Sequence, residues 1–161
     1  MAIINKDLHQ FSSYIQQINL TFHQYLLLCD EPLLVHTGNV MQAEALLPQL
    51  KAALNSKDLK YIFISHFEAD ECGALSVILE HFPEALTICS EVTARQLNGF
   101  GIKAKTITKK AGEKLTTDSY ELEFIDYPSE MHLWDGLLIQ TLRQLKPNFI
   151  ATGHGPCLKL Q

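Results

Sequence analysis

The chain is poor in the features that mark several large protein classes. Of its 161 residues one is Trp, eight are Gly and six are Pro, and no tract is dominated by turn-forming residues, so a collagen-like or low-complexity chain is excluded. No apolar stretch approaches the roughly 20 residues needed to cross a bilayer. Met1 to Tyr14 includes Asn5, Lys6, Asp7, His9 and Gln10 and lacks the apolar centre of a secretory signal, so a cytoplasmic location is expected. Cys29, Cys72, Cys89 and Cys157 show no C-x-x-C spacing, which argues for reduced thiols rather than a disulfide framework or a redox motif. Positive charge is also short. Thirteen basic against eighteen acidic residues give a net charge of −5, so neither nucleic acid nor an anionic membrane is expected as a partner. Neither a Gly-rich phosphate loop nor a nucleophile elbow is present.

What is present fits one globular domain over residues 1–161, with 47% hydrophobic and 19% charged residues. Phe22–Cys29 and Leu33–Val35 read as two strands joined by a turn at Asp30-Glu31-Pro32. Met41–Leu54 has helical apolar spacing, with Pro48 predicting a kink or a late start. Tyr61–Ile64 has no polar alternation and reads as a strand covered on both faces. Glu71–Phe82 reads as a helix stopped by Pro83, and Leu86–Cys89 as a short buried strand. Ser90 offers a cap for a helix through Leu97. Tyr120–Phe124 alternates apolar and acidic residues, a strand with one wet face. Gly136–Leu145 has the apolar spacing of another helix, and Phe149–Ala151 reads as a last strand. Lys103, Lys105, Lys109, Lys110 and Lys114 are expected on a solvated strand edge rather than at an anion site. The order predicts an α/β layered fold.

The chemistry concentrates after Tyr61–Ile64. Ser65-His66-Phe67-Glu68-Ala69-Asp70-Glu71 offers His66, Glu68, Asp70 and Glu71 as ligand donors where a strand gives way to a helix. Loops at the carboxyl ends of such strands commonly carry the chemistry of α/β proteins. Imidazole with carboxylates suits iron, zinc or manganese, and a cation gives these groups a common reason to converge. A solvated acidic loop capping the next helix is the alternative, since Asp70 and Glu71 are favourable there without metal. His132 lies in Pro128-Ser129-Glu130-Met131-His132-Leu133-Trp134-Asp135, and His154 in Thr152-Gly153-His154-Gly155-Pro156. Each follows a strand-like run.

The H-x-E-x-D loop, the His before Trp-Asp and the terminal G-H-G-P together resemble the metallo-β-lactamase superfamily. The Glu in place of a second His is most similar to the diiron domain of flavodiiron proteins. Leu33-Leu34-Val35-His36-Thr37-Gly38 looks like the family's Asp-Thr-Gly turn, with His36 replacing an Asp that supports the metal loop. The resemblance implies a shortened αββα layered sandwich. It implies one metal held by His66, Glu68 and His132 and a second held by Asp70 and His154. Two departures stand out. Glu71 replaces a His, and the short interval Leu133 to Gly153 leaves out the segment that carries a bridging Asp.

By resemblance the cofactor is iron, two ions in the family and one or none here, with zinc as the alternative. The function implied is binding or reduction of O2 or NO, with a separate electron donor because the family's flavodoxin domain is missing; a homodimer is compatible. A metallo-β-lactamase-type zinc hydrolase and a non-enzymatic shortened member remain open. Phe67 and Trp134 are expected to wall the site, His36 to act either as a support or as an ordinary turn His, and His9, His23 and His81 to lie outside it. Metal or redox roles are not the expectation for Cys72 and Cys157.

Overall fold

A computed structural model describes residues 1–126, 136–141, 149–150 and 158–159. Its centre is the set of apolar strands that the sequence marks. Strand β1 is Ala2–Ile3, β2 Leu8–Ile15, β3 Leu20–Leu27 and β4 Leu33–Val35. Helix α1 spans Val40–Leu54, β5 Tyr61–Phe63, α2 Ala69–Cys72, α3 Leu75–His81, β6 Leu86–Cys89, α4 Glu91–Gly99 and β7 Thr106–Thr108. The seven strands form one sheet in chain order, antiparallel from β1 to β4 and parallel from β4 to β7. Strands β8 (Lys114–Thr116), β9 (Glu121–Asp126) and β10 (Leu137–Thr141) form a second, antiparallel sheet, and β11 (Phe149–Ile150) pairs with β12 (Leu158–Lys159).

Parallel strands need cover on both faces, and continuous apolar runs supply it. On one face Leu34, Ile62 and Cys89 pack against Leu46, Leu50 and Leu54 of α1, Leu75 and Ile78 of α3, and Leu97 of α4. On the other, Leu33, Tyr61, Phe63 and Ile88 meet Leu122, Phe124 and Leu137 of the second sheet. The Phe63 and Phe124 rings lie 5.8 Å apart at the centre of that layer. Among the described residues the layers therefore run helices, large sheet, small sheet. No helix among them is long and apolar enough to cross a membrane.

Local chemistry explains the starts and stops. Asn39 and Gln42 form a reciprocal capping box at the start of α1, and Asn55 closes it in a left-handed conformation. Pro48 lies inside α1 with no break in the element, and it is exposed, so the missing N–H falls on the solvent side. Ser90 caps α4 by accepting from the Thr93 amide at 3.0 Å. The basic run behaves as a solvated edge: Lys105 pairs with Glu84 and Lys114 with Glu121, each at 2.7 Å.

Three elements differ from their sequence reading. Gly136–Leu145 was expected as a helix, but Leu137–Thr141 is strand β10, paired with β9 from Leu137↔Asp126 to Thr141↔Leu122. A short apolar run fits either period, and pairing with β9 decides it by burying Leu137 and leaving Leu138 outward. The expected helix Glu71–Phe82 is two helices, α2 and α3, broken at Gly73–Ala74. There the Glu71 carbonyl accepts from the Thr37 amide at 2.7 Å, and the Ala74 amide donates to the Gly38 carbonyl at 2.8 Å. Backbone groups spent on the 37–38 turn are not available to continue a helix. The third difference is the N-terminal strand β2, paired along its full length with β3, which its mixed polar sequence does not announce.

Candidate metal centre

Strand β5 delivers its carboxyl end into Ser65–Glu68, and α2 follows at once. The turn 36–38 is bonded to α2 and α3 from the side, so this loop is held by two neighbours. Within it the His66 imidazole is 7% exposed, and its Nε2 lies 3.5 Å from Glu68 Oε2 and 3.6 Å from Glu71 Oε2. Among the described residues His66, Glu68 and Glu71 form a group whose donor atoms all lie within 4.8 Å of one another. Glu68 opens toward solvent, whereas Glu71 is only 2% exposed.

Such crowding has an electrostatic cost. Burial pushes the Glu71 carboxyl from its ordinary 4.5 up to about 9, helped by a hydrogen bond with the Asp70 side chain and by the charges of Asp70 and Glu68. Burial also pushes the Cys72 thiol up to about 12, with the Glu71 charge adding to it. That thiol donates to the Glu68 carbonyl at 3.1 Å and so braces the loop as a neutral S–H.

One imidazole nitrogen and two carboxylates, already converged and mutually repulsive, suit a divalent cation of the iron, manganese or zinc type. A positive charge at their midpoint would relieve the repulsion that holds the Glu71 proton on, so the residues fit the metal implied by the sequence motif.

Of the candidate ligands, the structure brings together His66, Glu68 and Glu71, with Asp70 joined through Glu71. Asp70 itself lies outside the three-donor group. His132 and His154, like Trp134 and Asp135, fall outside the described residues. One described contact bears on the loop that carries His132: the Leu137 amide, at the start of β10, donates to the Ser65 carbonyl at 2.9 Å. The start of β10 is thus anchored beside His66.

A further pair of residues supports the centre. His36 Nε2 lies 2.8 Å from Ser65 Oγ, and Ser65 Oγ lies 2.9 Å from His66 Nδ1. His36 is therefore joined to the metal loop through Ser65. Ser65 drew no attention in the sequence; its one signal is a hydroxyl directly before the His of the motif. Phe67 meets Phe100 in a tilted ring pair, with centroids 4.9 Å apart. His9 and His23 are buried elsewhere in the sheet, and His81 meets Lys51 at 3.1 Å, so the three remain outside the centre.

A mixed sheet backed by helices, a second sheet on its other face, and a His-x-Glu-x-Asp loop at a parallel strand end define a metallo-β-lactamase-like domain with the fold of flavodiiron metal domains. Residues 20–136 match the family described as ODP family beta lactamase, and the chain belongs to that family. Diflavin flavoprotein A 1 from Synechocystis sp. is 26% identical over 124 residues, which is 76% of this chain and 22% of that protein. A nitric oxide reductase from Moorella thermoacetica is 28% identical over 110 residues, 67% of this chain and 28% of that protein. The chain thus spans well under half of these relatives. Rubredoxin oxygen:oxidoreductase from Desulfovibrio gigas shares the fold, with a TM-score of 0.77 at 19% identity over 87% of this chain and 38% of that one.

Proposed function

We propose that this chain, as one domain, is a non-haem iron protein that binds or reduces O2 or NO in a reducing cytoplasmic setting, with electrons from a separate donor. The observation that carries the reading is the convergence of the His66 imidazole with the Glu68 and Glu71 carboxylates at the end of β5. Relatives named as a nitric oxide reductase and an oxygen:oxidoreductase support the choice of small oxidant. Carboxylate-rich coordination favours iron over zinc, because a harder, more anionic donor set suits iron better than the His-rich sets of zinc hydrolases.

Iron, when bound, supplies the change of oxidation state that such a reaction needs. The protein's part is placement and shielding. His66 offers Nε2, Glu68 offers a carboxylate from the open side, and Glu71 offers one from the buried side. Asp70, hydrogen-bonded to Glu71, adds negative charge beside the donor group. His132 and His154 complete the ligand set in this reading, and the Leu137–Ser65 bond, which sets the start of β10 beside His66, supports it. Phe67 and Phe100 keep one wall apolar, which suits a small uncharged gas.

Metal analysis of anaerobically purified protein, followed by O2 and NO consumption with a chemical reductant, tests the reading. Iron at one or two ions per chain with consumption of either gas is expected. Zinc alone, with ester or lactam hydrolysis, would replace it by a hydrolase; absence of any metal after Fe2+ loading would leave a non-enzymatic member.

A further inference from the structure

We infer that His36 and Ser65 set the tautomer of His66, forming a two-position relay that decides whether His66 Nε2 can accept a cation. The inference rests on the metal-centre reading above. Two contacts carry it: His36 Nε2 to Ser65 Oγ is 2.8 Å, and Ser65 Oγ to His66 Nδ1 is 2.9 Å. Ser65 has one hydroxyl hydrogen and can donate it in one direction only.

Two arrangements follow from that single hydrogen. In the first, His36 Nε2–H donates to Ser65 Oγ, and the hydroxyl donates to His66 Nδ1. His66 then carries its proton on Nε2, facing Glu68 Oε2 at 3.5 Å and Glu71 Oε2 at 3.6 Å. A cation cannot bind to that protonated nitrogen. In the second, His66 Nδ1–H donates to Ser65 Oγ, and the hydroxyl donates to His36 Nε2, leaving His66 Nε2 bare for metal. Neutral His36 and His66 are therefore always in the same tautomer, and loading a cation on His66 reverses both. Partners on the second imidazole nitrogen of a ligating His commonly set its affinity in this way.

The backbone fixes the position from which the His36 imidazole reaches Ser65. His36 has a φ of +63°, a left-handed conformation uncommon for residues other than Gly, although Asn, Asp and His adopt it more often than the rest. Its amide donates to the Phe63 carbonyl at 2.9 Å, which fixes the residue against β5 just before Ser65. A Gly would take this turn without strain, so the ring can be removed here without disturbing the backbone.

The test uses the full chain and Zn2+ or anaerobic Fe2+ as probe. His36→Gly removes the ring without adding strain and should weaken binding about 10- to 100-fold. His36→Gln, whose Oε1 can accept the Ser65 proton near the position of Nε2, should restore most of it. Ser65→Ala should weaken binding comparably, and the double variant should be no weaker than Ser65→Ala alone, because both act through one chain of bonds. Long-range proton–nitrogen NMR should show both rings as Nε2–H in the metal-free protein and both as Nδ1–H with Zn2+ bound. Unchanged binding in His36→Gly, multiplying effects in the double variant, or different tautomers on the two neutral rings would overturn the relay. A wild-type chain that takes up no metal overturns the metal-centre reading instead, and the tautomers of the metal-free rings still decide the relay.

Discussion

At the scale of single residues, Glu71 sits in an environment far from water. Its carboxyl is pushed from 4.5 to about 9, so in the metal-free chain it stays protonated at neutral pH. The unfolded chain releases that proton near 4.5 and the folded chain does not. The contribution of Glu71 to stability is therefore fully present below about 4.5 and is lost as pH rises toward 9. Glu71→Gln, which has no proton to lose, should make the metal-free protein more stable by on the order of 2–3 kcal/mol near pH 7, with no gain near pH 4. Urea denaturation at the two pH values checks this, and an equal gain at both would show that charge is not the cause. The same variant should bind Fe2+ at least about tenfold more weakly, since one anionic donor is gone. His66→Ala should abolish binding while circular dichroism stays unchanged; metal retained at wild-type stoichiometry would remove His66 from the centre. The ligand types at His66, Glu68, Asp70 and Glu71 were legible because their spacing puts them in one loop. The roles within the loop were not: that Glu71 turns inward while Asp70 stays outside depends on where α2 starts, which no spacing rule states. Ser65 was invisible for a related reason, since its meaning comes from His36, distant in sequence.

At the scale of elements, the junction of α2 and α3 holds the site in shape. A Cβ on Gly73 would lie 2.3 Å from the Ala69 carbonyl oxygen and 3.3 Å from Asn39 Cα, both backbone, so neither can swing away. Gly73→Ala should lower stability by about 2–3 kcal/mol through forced overpacking, and should weaken metal binding because Glu71 and the 37–38 turn move with the junction. Thermal unfolding and Fe2+ titration on the same preparation check both parts; loss of stability with unchanged affinity would separate the junction from the site. The uniform apolar runs of β4, β5 and β6 were readable because burial on both faces removes polar alternation. Strand β10 was misread as a helix because Leu137, Leu138 and Leu142 satisfy a helical spacing as well, and only the partner strand β9 discriminates. Strand β2 escaped because His9, Gln10 and Ser12 carry no apolar signal, although pairing with β3 buries the first two.

At the scale of the whole molecule, the large sheet and the small sheet are joined by the layer around Phe63 and Phe124. Phe124 is fully buried there, and Phe124→Ala should cost about 3–5 kcal/mol, measurable as a lower urea midpoint. The loss should extend to metal affinity, since detaching the β9–β10 hairpin withdraws Leu137 from Ser65; a destabilised variant with wild-type affinity would show that the hairpin is irrelevant to the centre. The layered α/β plan was legible from the order of elements, and the pairing of sheets across Phe63 and Phe124 was not, because contacts between distant residues leave no local trace.

The bond from the Leu137 amide to the Ser65 carbonyl also has a bearing on biosynthesis. A chain emerging from the ribosome makes β5, the metal loop and α3 well before it makes Leu137. Until then the loop lacks its clasp from the second sheet, and contacts between residues so far apart in sequence form late because loop closure must precede them. A cation meeting the nascent chain would find three donors on a loop not yet braced. The donor group is accordingly braced only once the β9–β10 hairpin has docked, so its final shape is a late product of folding rather than a nucleus around which the domain is built.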